Sequence, residues 1–318
     1  MELKAIQQMT ERIRGNVAKV MVGKEEAVEL LMVALITGGH VLLEDVPGTG
    51  KTLLAKTIAR SLAASFKRIQ FTPDLLPSDV SGINFYNMKS GEFEFRAGPL
   101  FANIVLADEI NRATPRTQSS LLEAMEEQQV SVDGETRLLP APFLVIATQN
   151  PVENQGTFPL PEAQLDRFLL KLPMGYPSTD EGIELLRRFK ENNPLALIEP
   201  VAENRDLLAA RSAYTRVRVS DELLRYLVEI AEKTRVHPEL SLGISPRGTQ
   251  ALLRSIQALA VIRGRDYVLP DDIKELVKPV FAHRLVLKSR MKGQGERAEA
   301  ILERILADTA VPAEAGAR

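Results

Sequence analysis

The chain has 318 residues, among them 40 Lys and Arg, 42 Asp and Glu, three His and no Cys. At about 150 residues per domain, this length predicts two domains. The lack of cysteine excludes disulfides, thiol nucleophiles and Cys-ligated zinc, and three scattered histidines argue against a His-based metal site. A net charge of −2 argues against a surface devoted to nucleic acid. Because the sequence contains neither a signal segment nor an apolar run of about 20 residues, we expect a cytoplasmic protein without a membrane span.

Apolar residues recur every three or four positions through the first twenty residues and again over residues 24–37, which predicts two helices. Short apolar runs then alternate with helical segments. The predicted strands are residues 41–43, 68–71, 104–106, 143–147 and 168–171, and the helices between them include residues 53–62 and 115–128. Buried strands that alternate with helices indicate an α/β fold, with a mostly parallel sheet covered by helices on both faces.

The strand signal ends at Pro177, and helix-start signals follow it. Capping residues and first-turn prolines predict helices at residues 178–191, 220–233, 245–264, from 270 onward, and 296–307. We therefore expect an α/β domain over residues 1–175 and a smaller all-α domain over residues 176–318.

A glycine-rich turn, residues 46–52, separates the first predicted strand from the following helix. Backbone N–H groups of such a turn can surround a phosphate, and the helix N-terminus adds its positive dipole. Lys51 would reach the β- and γ-phosphates, and Thr52 would place its hydroxyl on Mg²⁺. Asp45 stands where the usual motif has its first glycine. The predicted nucleotide-binding residues here are Pro47, Gly48, Thr49, Gly50, Lys51, Thr52 and Leu53.

Two carboxylates follow the strand at residues 104–106, where the second half of a nucleotide site is expected. Asp108 would hold Mg²⁺, directly or through water, beside the nucleotide. Glu109 would polarise an attacking water, so the predicted reaction is hydrolysis. Taken alone, the pair is more typical of a solvated turn. Asn150, after the next strand, could orient the same water, although an Asn-Pro turn is the commoner explanation of that dipeptide.

Together these segments resemble the MoxR family of AAA+ ATPases, within the helix-2-insert clade. The resemblance covers nearly the whole chain and lies in residues 44–52, 107–112, 147–151, 162–168 and 245–247. It implies a P-loop AAA+ core, with a five-stranded parallel sheet and helices on both faces, followed by a smaller all-α lid. It also implies that nucleotide binds between the core and the lid.

By this resemblance Asn150 is sensor 1, and Arg167 is the arginine finger that would reach the γ-phosphate held by a neighbouring subunit. A guanidinium in that place stabilises the charge on the transferred phosphoryl oxygens. From the residues alone, a salt bridge of Arg167 with Asp166 or Glu162 would be the preferred explanation.

The resemblance makes Arg247 sensor 2, which would bring the lid onto the nucleotide of the same subunit. Without the resemblance, Arg247 is an exposed arginine in the first turn of a helix. Val22 and Gly23 resemble the segment that lies beside the adenine. Arg112 and Arg116 follow the acidic strand closely and are secondary candidates for the subunit boundary.

Two pairs of short alternating runs predict β-hairpins, one over residues 82–95 and one over residues 129–139. The second turns at Asp133-Gly134, a dipeptide that favours tight hairpin turns. The family places the first hairpin inside its second helix, facing the central pore. The alternative is that both hairpins extend the edge of the sheet.

The resemblance implies ATP and Mg²⁺ as cofactors and a ring, expected to be a hexamer, that works on a client protein. A protein with a von Willebrand factor A (VWA) domain and a client enzyme are the expected partners. Two other functions stay open: a nucleic-acid motor, disfavoured by the near-neutral charge, and a nucleotide-gated scaffold with little turnover. Glu109, Asn150 and Arg167 argue against the scaffold.

Overall fold

The computed structural model describes residues 1–44, 48–149, 156–191, 193–288 and 297–312. Two of the predicted site residues, Pro47 and Asn150, lie outside the described residues, as does Asp45.

A parallel sheet forms the centre of the fold. The strands are, in chain order, β1 (His40–Glu44), β2 (Phe66–Gln70), β3 (Gly82–Asn87), β4 (Glu92–Ala97), β5 (Ile104–Asp108), β6 (Gln129–Val132), β7 (Glu135–Leu138), β8 (Leu144–Gln149), β9 (Phe168–Leu172), β10 (Leu240–Leu242) and β11 (Val286–Leu287). Five of them pair in parallel in the order β2-β5-β8-β1-β9. This confirms the five-stranded α/β fold expected from the sequence.

Helices flank the sheet and dominate the second half of the chain. They are α1 (Leu3–Val20), α2 (Glu25–Thr37), α3 (Lys51–Ser61), α4 (Pro77–Ser81), α5 (Pro115–Glu127), α6 (Glu162–Leu165), α7 (Thr179–Glu191), α8 (Asn204–Arg211), α9 (Asp221–Val236), α10 (Pro246–Ile262), α11 (Pro270–Phe281) and α12 (Ala298–Ala307). Across the described ranges, no helix is both long and apolar enough to span a membrane.

Residues on the central strands alternate between two hydrophobic clusters, one on each face of the sheet. Val105 and Ala107 of β5 and Val145 of β8 pack with α5 on one face. Leu106 of β5 and Ile146 of β8 pack on the other face with α1, α2 and α3. Successive side chains of a strand point to opposite faces, so strands without polar residues produce a sheet that is buried on both sides.

The predicted strands of the sheet are present, and the predicted hairpins are β3–β4 and β6–β7. The sequence does not predict α4, α6 or α8, because helices of 5, 4 and 8 residues are too short to show a clear helical period. The mostly helical region after Pro177 also contains the antiparallel pair β10–β11. Strands of three and two residues carry no alternation that sequence patterning could detect.

The N-terminal helices contact both halves of the chain. Helices α1 and α2 pack against α10, and Leu31 of α2 and Leu259 of α10 belong to one buried cluster. Asn16 of α1 donates to Ser61 Oγ of α3 at 3.2 Å and to the carbonyl of Glu199 at 2.8 Å. These helices therefore connect the flank of the sheet to the helical region.

The two hairpins contact each other through side chains. Asn84 of β3 donates to Asp133 Oδ2 at 2.8 Å, and the Arg137 guanidinium of β7 lies 4.1 Å from the ring centroid of Phe95. Hairpin β3–β4 also exposes large apolar side chains: Ile83, Phe85, Tyr86, Met88 and Phe93. The hairpins thus form one surface unit that exposes apolar side chains to solvent.

Candidate functional site

The turn between β1 and α3 forms one wall of a cavity at the carboxyl edge of the sheet. Gly48 and Gly50 have φ of +86° and +88°, in a region that favours glycine. The cavity has a volume of about 400 Å³. Its lining residues are Gly48, Thr49, Gly50, Lys51, Thr52, Leu53, Arg68, Asp108, Glu109 and Thr148. It therefore joins the glycine-rich turn to residues of β2, β5 and β8.

Helix α3 begins at Lys51, directly after the turn, with Gly50 as its N-cap residue. Because the N-cap residue is glycine, it has no side chain that could bond to the amides of the first turn. The first-turn residues Lys51, Thr52 and Leu53 line the cavity. A Cβ on Gly50 would lie 3.1 Å from Cε of Met21 and would be strained at this φ. The amides and dipole of a helix N-terminus attract anions, so the wall is suited to a phosphate.

Asp108, the last residue of β5, has both carboxylate oxygens engaged. Thr148 Oγ1 donates to Oδ1 at 2.6 Å, and Arg68 donates to Oδ2 from Nε at 3.1 Å and from Nη2 at 2.6 Å. The Asp108 side chain is 14% exposed, whereas that of Arg68 is 47% exposed. The carboxylate is therefore fixed at the cavity wall, and Arg68 approaches it from the solvent side.

Glu109 follows in the left-handed backbone region, with φ of 57°. Its N–H donates to Thr148 Oγ1 at 2.8 Å, so one hydroxyl contacts both acidic residues. Its carboxylate Oε2 accepts from Gln70 Nε2 at 2.8 Å and from Arg112 Nη1 at 2.9 Å. This backbone region is uncommon for a residue other than glycine. It turns the chain out of β5 and leaves Glu109 lining the cavity.

Membership in a nucleotide-hydrolysing family would imply Mg²⁺ beside the nucleotide, and the residues present fit that ion. Thr52 and Asp108 line the same cavity and offer hydroxyl and carboxylate oxygens, the donors that Mg²⁺ prefers. Within the described ranges there is no group of three or more His, Cys, Asp or Glu side chains placed to hold a metal. Mg²⁺ beside a nucleotide needs no such group, since phosphates and water supply most of its ligands.

Arg167 and Arg247 both form salt bridges with the carboxylate of Glu126. Arg167 Nε is 3.1 Å from Glu126 Oε2, and Arg247 Nη1 is 3.0 Å from Oε1. Asp166 lies beside them, 4.0 Å from Arg247 Nε and 2.7 Å from Arg284 Nε. Burial lowers the pKa of Arg284, and its bond to Asp166 acts in the opposite direction. We call these five residues the arginine cluster.

The structure brings part of the predicted site together and separates the rest. The glycine-rich turn, Asp108 and Glu109 meet at the cavity, but Arg167 and Arg247 are not among its described lining residues. Arg247, expected to contact the nucleotide of its own subunit, lies at the start of α10 and donates to Glu126. Arg167 does form a salt bridge, with Glu126 of α5, a residue that sequence proximity does not suggest.

Val22 and Gly23 connect α1 to α2 and lie outside the cavity lining. Gly23 has φ of +66°, and a Cβ on it would overlap the carboxylate of Glu181 in α7. Lys24 Nζ donates to the carbonyl of Met174 at 2.7 Å. The segment predicted to contact adenine is therefore packed against α7, where the two halves of the chain meet.

Of the secondary candidates, Arg112 forms a salt bridge with Glu109 beside the cavity. Arg116 is exposed in the first turn of α5. Sequence reasoning missed four residues, namely Arg68, Gln70, Thr148 and Glu126. Arg68 and Gln70 are two positions apart on β2 and so share a face. They reach Asp108 and Glu109 because β2 pairs with β5, and only the strand order reveals this.

Known families match both halves of the chain. The profile of the ATPase family associated with various cellular activities (AAA) matches residues 40–170, and the profile of the AAA lid domain matches residues 232–305. The crystal structure of a candidate ATPase from Cytophaga hutchinsonii is similar, with a TM-score of 0.91 at 39% sequence identity. The similarity covers 98% of this chain and 97% of that one.

Sequence similarity to individual proteins identifies the family within the AAA+ ATPases. YeaC of Bacillus subtilis, an uncharacterised protein, is 52% identical over 95% of this chain and 94% of its own length. The chaperone MoxR1 of Mycobacterium tuberculosis is 42% identical over 95% of this chain and 82% of its own length. MoxR of Paracoccus denitrificans is 31% identical over 92% of this chain and 94% of its own length. The chain therefore belongs to the MoxR family of AAA+ ATPases.

Proposed function

We propose that this chain hydrolyses ATP with Mg²⁺ and acts as a cytoplasmic ring to remodel, mature or activate a client protein. The observation that carries the proposal is the cavity in which the α3 N-terminus, Lys51 and Thr52 face Asp108 and Glu109. A phosphate-binding turn opposite one carboxylate that can hold Mg²⁺ and another that can polarise water is suited to hydrolysis of a phosphoanhydride.

The residues of the turn bind and orient the nucleotide in this proposal. Lys51 and the first-turn amides of α3 hold the β- and γ-phosphates. Thr52 and Asp108 would hold Mg²⁺, which would neutralise charge on the phosphate oxygens. Val22 and Gly23 contact the adenine.

Glu109 is assigned as the group that accepts the proton of the attacking water. Gln70 and Arg112 both bond to its Oε2, which orients the carboxylate, and Oε1 is assigned to take up that proton. Asn150, outside the described residues, is assigned to orient the same water.

The position of the arginine cluster supports a ring in which subunits complete one another's sites. Arg167 and Arg247 form salt bridges with Glu126, and neither is among the described residues that line the cavity of their own subunit. We therefore assign both to the nucleotide of a neighbouring subunit in a hexamer. There the guanidiniums stabilise charge on the transferred phosphoryl oxygens.

The exposed side of hairpin β3–β4 supports a protein as the client. Tyr86, Met88 and Phe93 are 53%, 91% and 75% exposed, and grouped exposed apolar side chains commonly mark protein contacts. Nucleic-acid surfaces are instead rich in Lys and Arg. The proposed partners are a client enzyme and a VWA-domain protein.

Variants of the cavity test the catalytic assignment. Lys51→Ala should abolish nucleotide binding, because it removes the positive charge that binds the phosphates. Glu109→Gln should bind ATP but hydrolyse it at least about 100-fold more slowly. Binding of a fluorescent ATP analogue and release of phosphate measure the two effects. Lys67→Ala and Glu127→Gln are matched controls, because both residues are exposed and lie outside the cavity lining. Equal turnover by wild type and Glu109→Gln would refute the role of Glu109.

Capture with the Glu109→Gln protein and ATP tests the client. Recovery of a VWA-domain protein together with an enzyme supports the proposal. Recovery of nucleic acid, with binding that weakens steeply as salt increases, would favour a nucleic-acid motor instead.

A further inference from the structure

Glu126 joins two arginines that come from distant parts of the chain. It lies in the last turn of α5, whereas Arg167 follows α6 and Arg247 lies in the first turn of α10. Each carboxylate oxygen serves one arginine, since Oε2 is 3.1 Å from Arg167 Nε and Oε1 is 3.0 Å from Arg247 Nη1. The carboxylate therefore sets the distance and orientation of the two guanidiniums relative to each other.

The arginine cluster contains more positive than negative groups, so a carboxylate shared by two arginines reduces the repulsion between them. Three guanidiniums, from Arg167, Arg247 and Arg284, lie beside the carboxylates of Glu126 and Asp166. Asp166 bonds to Arg284 at 2.7 Å and is 4.0 Å from Arg247. Among the described residues, Glu126 is thus the carboxylate at bonding distance from both Arg167 and Arg247. Its loss would leave two like charges to repel each other.

The cluster is anchored on one side and open on the other. The Arg284 side chain is 4% exposed and donates from Nη2 to the carbonyl of Phe168 at 2.7 Å, which holds Asp166 against β9. Arg247 is 52% exposed and Glu126 is 34% exposed. Surface ion pairs add little to folding stability. If the role of Glu126 were purely structural, its loss would therefore change the free energy of unfolding only slightly and would leave turnover unchanged. The positioning of reacting groups affects rate far more.

We propose that Glu126 is a positioning residue that presents Arg167 and Arg247 as one unit to the nucleotide of the neighbouring subunit. The inference rests on the proposed function, in which both arginines act across the subunit boundary. Glu126 contacts no phosphate in this scheme. It orders the two side chains in advance, so that both reach the phosphoryl oxygens without the entropy cost of ordering each one separately.

Substitutions at Glu126 test this role. Glu126→Gln should lower kcat about tenfold to 100-fold and leave the affinity of the subunit's own site for ATP unchanged, because glutamine keeps the size but not the charge. Glu126→Asp keeps the charge with a shorter reach and should recover part of the lost turnover. Glu127→Gln, an exposed neighbour on α5, is the matched control and should keep wild-type turnover. Phosphate release gives kcat, a fluorescent ATP analogue gives affinity, and thermal unfolding verifies that each variant is folded.

A double-mutant cycle tests whether the arginines act as a unit. In an Arg247→Ala background only one arginine is left to position, so Glu126→Gln should cost less turnover than it does in the wild type. An equal loss in both backgrounds would overturn the inference. Wild-type kcat in Glu126→Gln, or a loss confined to ATP affinity, would overturn it as well.

The same assays separate this inference from the proposed function. If Arg167→Ala turns over ATP like the wild type, the proposed sharing of sites fails, and the inference fails with it. If Arg167→Ala loses turnover while Glu126→Gln keeps it, only the role of Glu126 is overturned.

Discussion

Among single residues, His40 at the start of β1 has both ring nitrogens bonded to the backbone. Nε2 lies 3.0 Å from the carbonyl of Met125, and the N–H of Val145 donates to Nδ1 at 2.9 Å. Because Nδ1 accepts this bond, the ring is neutral and carries its proton on Nε2. Burial is the largest cause that lowers the pKa of His40, from 6.5 to about 4.

The free energy of unfolding should therefore fall as the pH drops below 6.5. In the unfolded chain His40 takes up a proton near pH 6.5, but in the folded chain only near pH 4. Its stabilising contribution is thus complete above pH 6.5 and is lost as the pH approaches 4. Between pH 6.5 and 5 the loss should be about 1.5 kcal/mol, measurable by urea unfolding. His283, whose pKa burial also lowers, acts in the same direction.

His40→Gln isolates the contribution of this one ring. An amide does not titrate in this range, so stability should depend less steeply on pH between 6.5 and 5, whatever the absolute stability of the variant. An unchanged slope would show that another group is responsible.

Among elements, hairpin β3–β4 depends on two glycines at its base. Gly82 opens β3 with φ of +103°, and a Cβ on it would lie 2.5 Å from the carbonyl oxygen of Arg96. A Cβ on Gly98, just after β4, would lie 2.4 Å from the carbonyl oxygen of Val80. Backbone atoms cannot swing aside as the end of a flexible side chain can. The two segments therefore approach this closely only because both residues lack a side chain.

Gly98→Ala should lower the free energy of unfolding by about 1–3 kcal/mol and speed the hydrogen exchange of amides in β3 and β4. Gly15→Ala in α1 is the matched control, because within the described ranges no heavy atom beyond its chain neighbours and the nearby helix backbone lies within 4 Å of the Cβ position. Alanine should stabilise that helix by about 0.5–1 kcal/mol. Wild-type stability and unaltered hairpin exchange in Gly98→Ala would contradict the argument.

In the whole molecule, one buried cluster joins both halves of the chain. Leu31 of α2, Ile146 of β8 and Leu259 of α10 all belong to it, and Arg263 after α10 pairs with Glu29 of α2 at 2.7 Å. The proposed boundary near residue 176 thus divides the chain along its sequence without dividing its hydrophobic core. This packing sets the position of α10, and with it that of Arg247, relative to the sheet.

The ring is the unit of activity in our proposal, and mixed subunits test it. Arg167→Ala should lower turnover about 10³-fold or more and keep nucleotide binding, since Arg167 is not among the described residues that line its own cavity. Mixing it with Glu109→Gln subunits should restore part of the turnover, because some sites then combine an intact Glu109 with an intact Arg167. If mixing restores nothing, subunits do not share sites.

Patterns in neighbouring residues were sufficient to predict the five strands of the sheet, the helices of ten or more residues, and the glycine-rich turn and paired carboxylates of the candidate site. Lys51 and Thr52 follow a turn in which the positive φ of Gly48 and Gly50 requires glycine. Asp108 directly follows a continuous apolar run, which is how a buried strand appears in sequence. Such signals are local, because they record the burial and backbone conformation of a single segment.

Contacts between distant segments produce no such local pattern in the sequence. Arg68 reaches Asp108 only because β2 lies beside β5, and Glu126 meets Arg167 and Arg247 only because α5, α6 and α10 end at one place. Many surface arginines and carboxylates could form equivalent pairs, so residue type alone cannot choose among them. The sequence by itself determined the fold class, the phosphate-binding turn and the family resemblance. Only the tertiary structure placed Arg247 beside Arg167 on the carboxylate of Glu126, because the packing of α10 sets where that side chain lies.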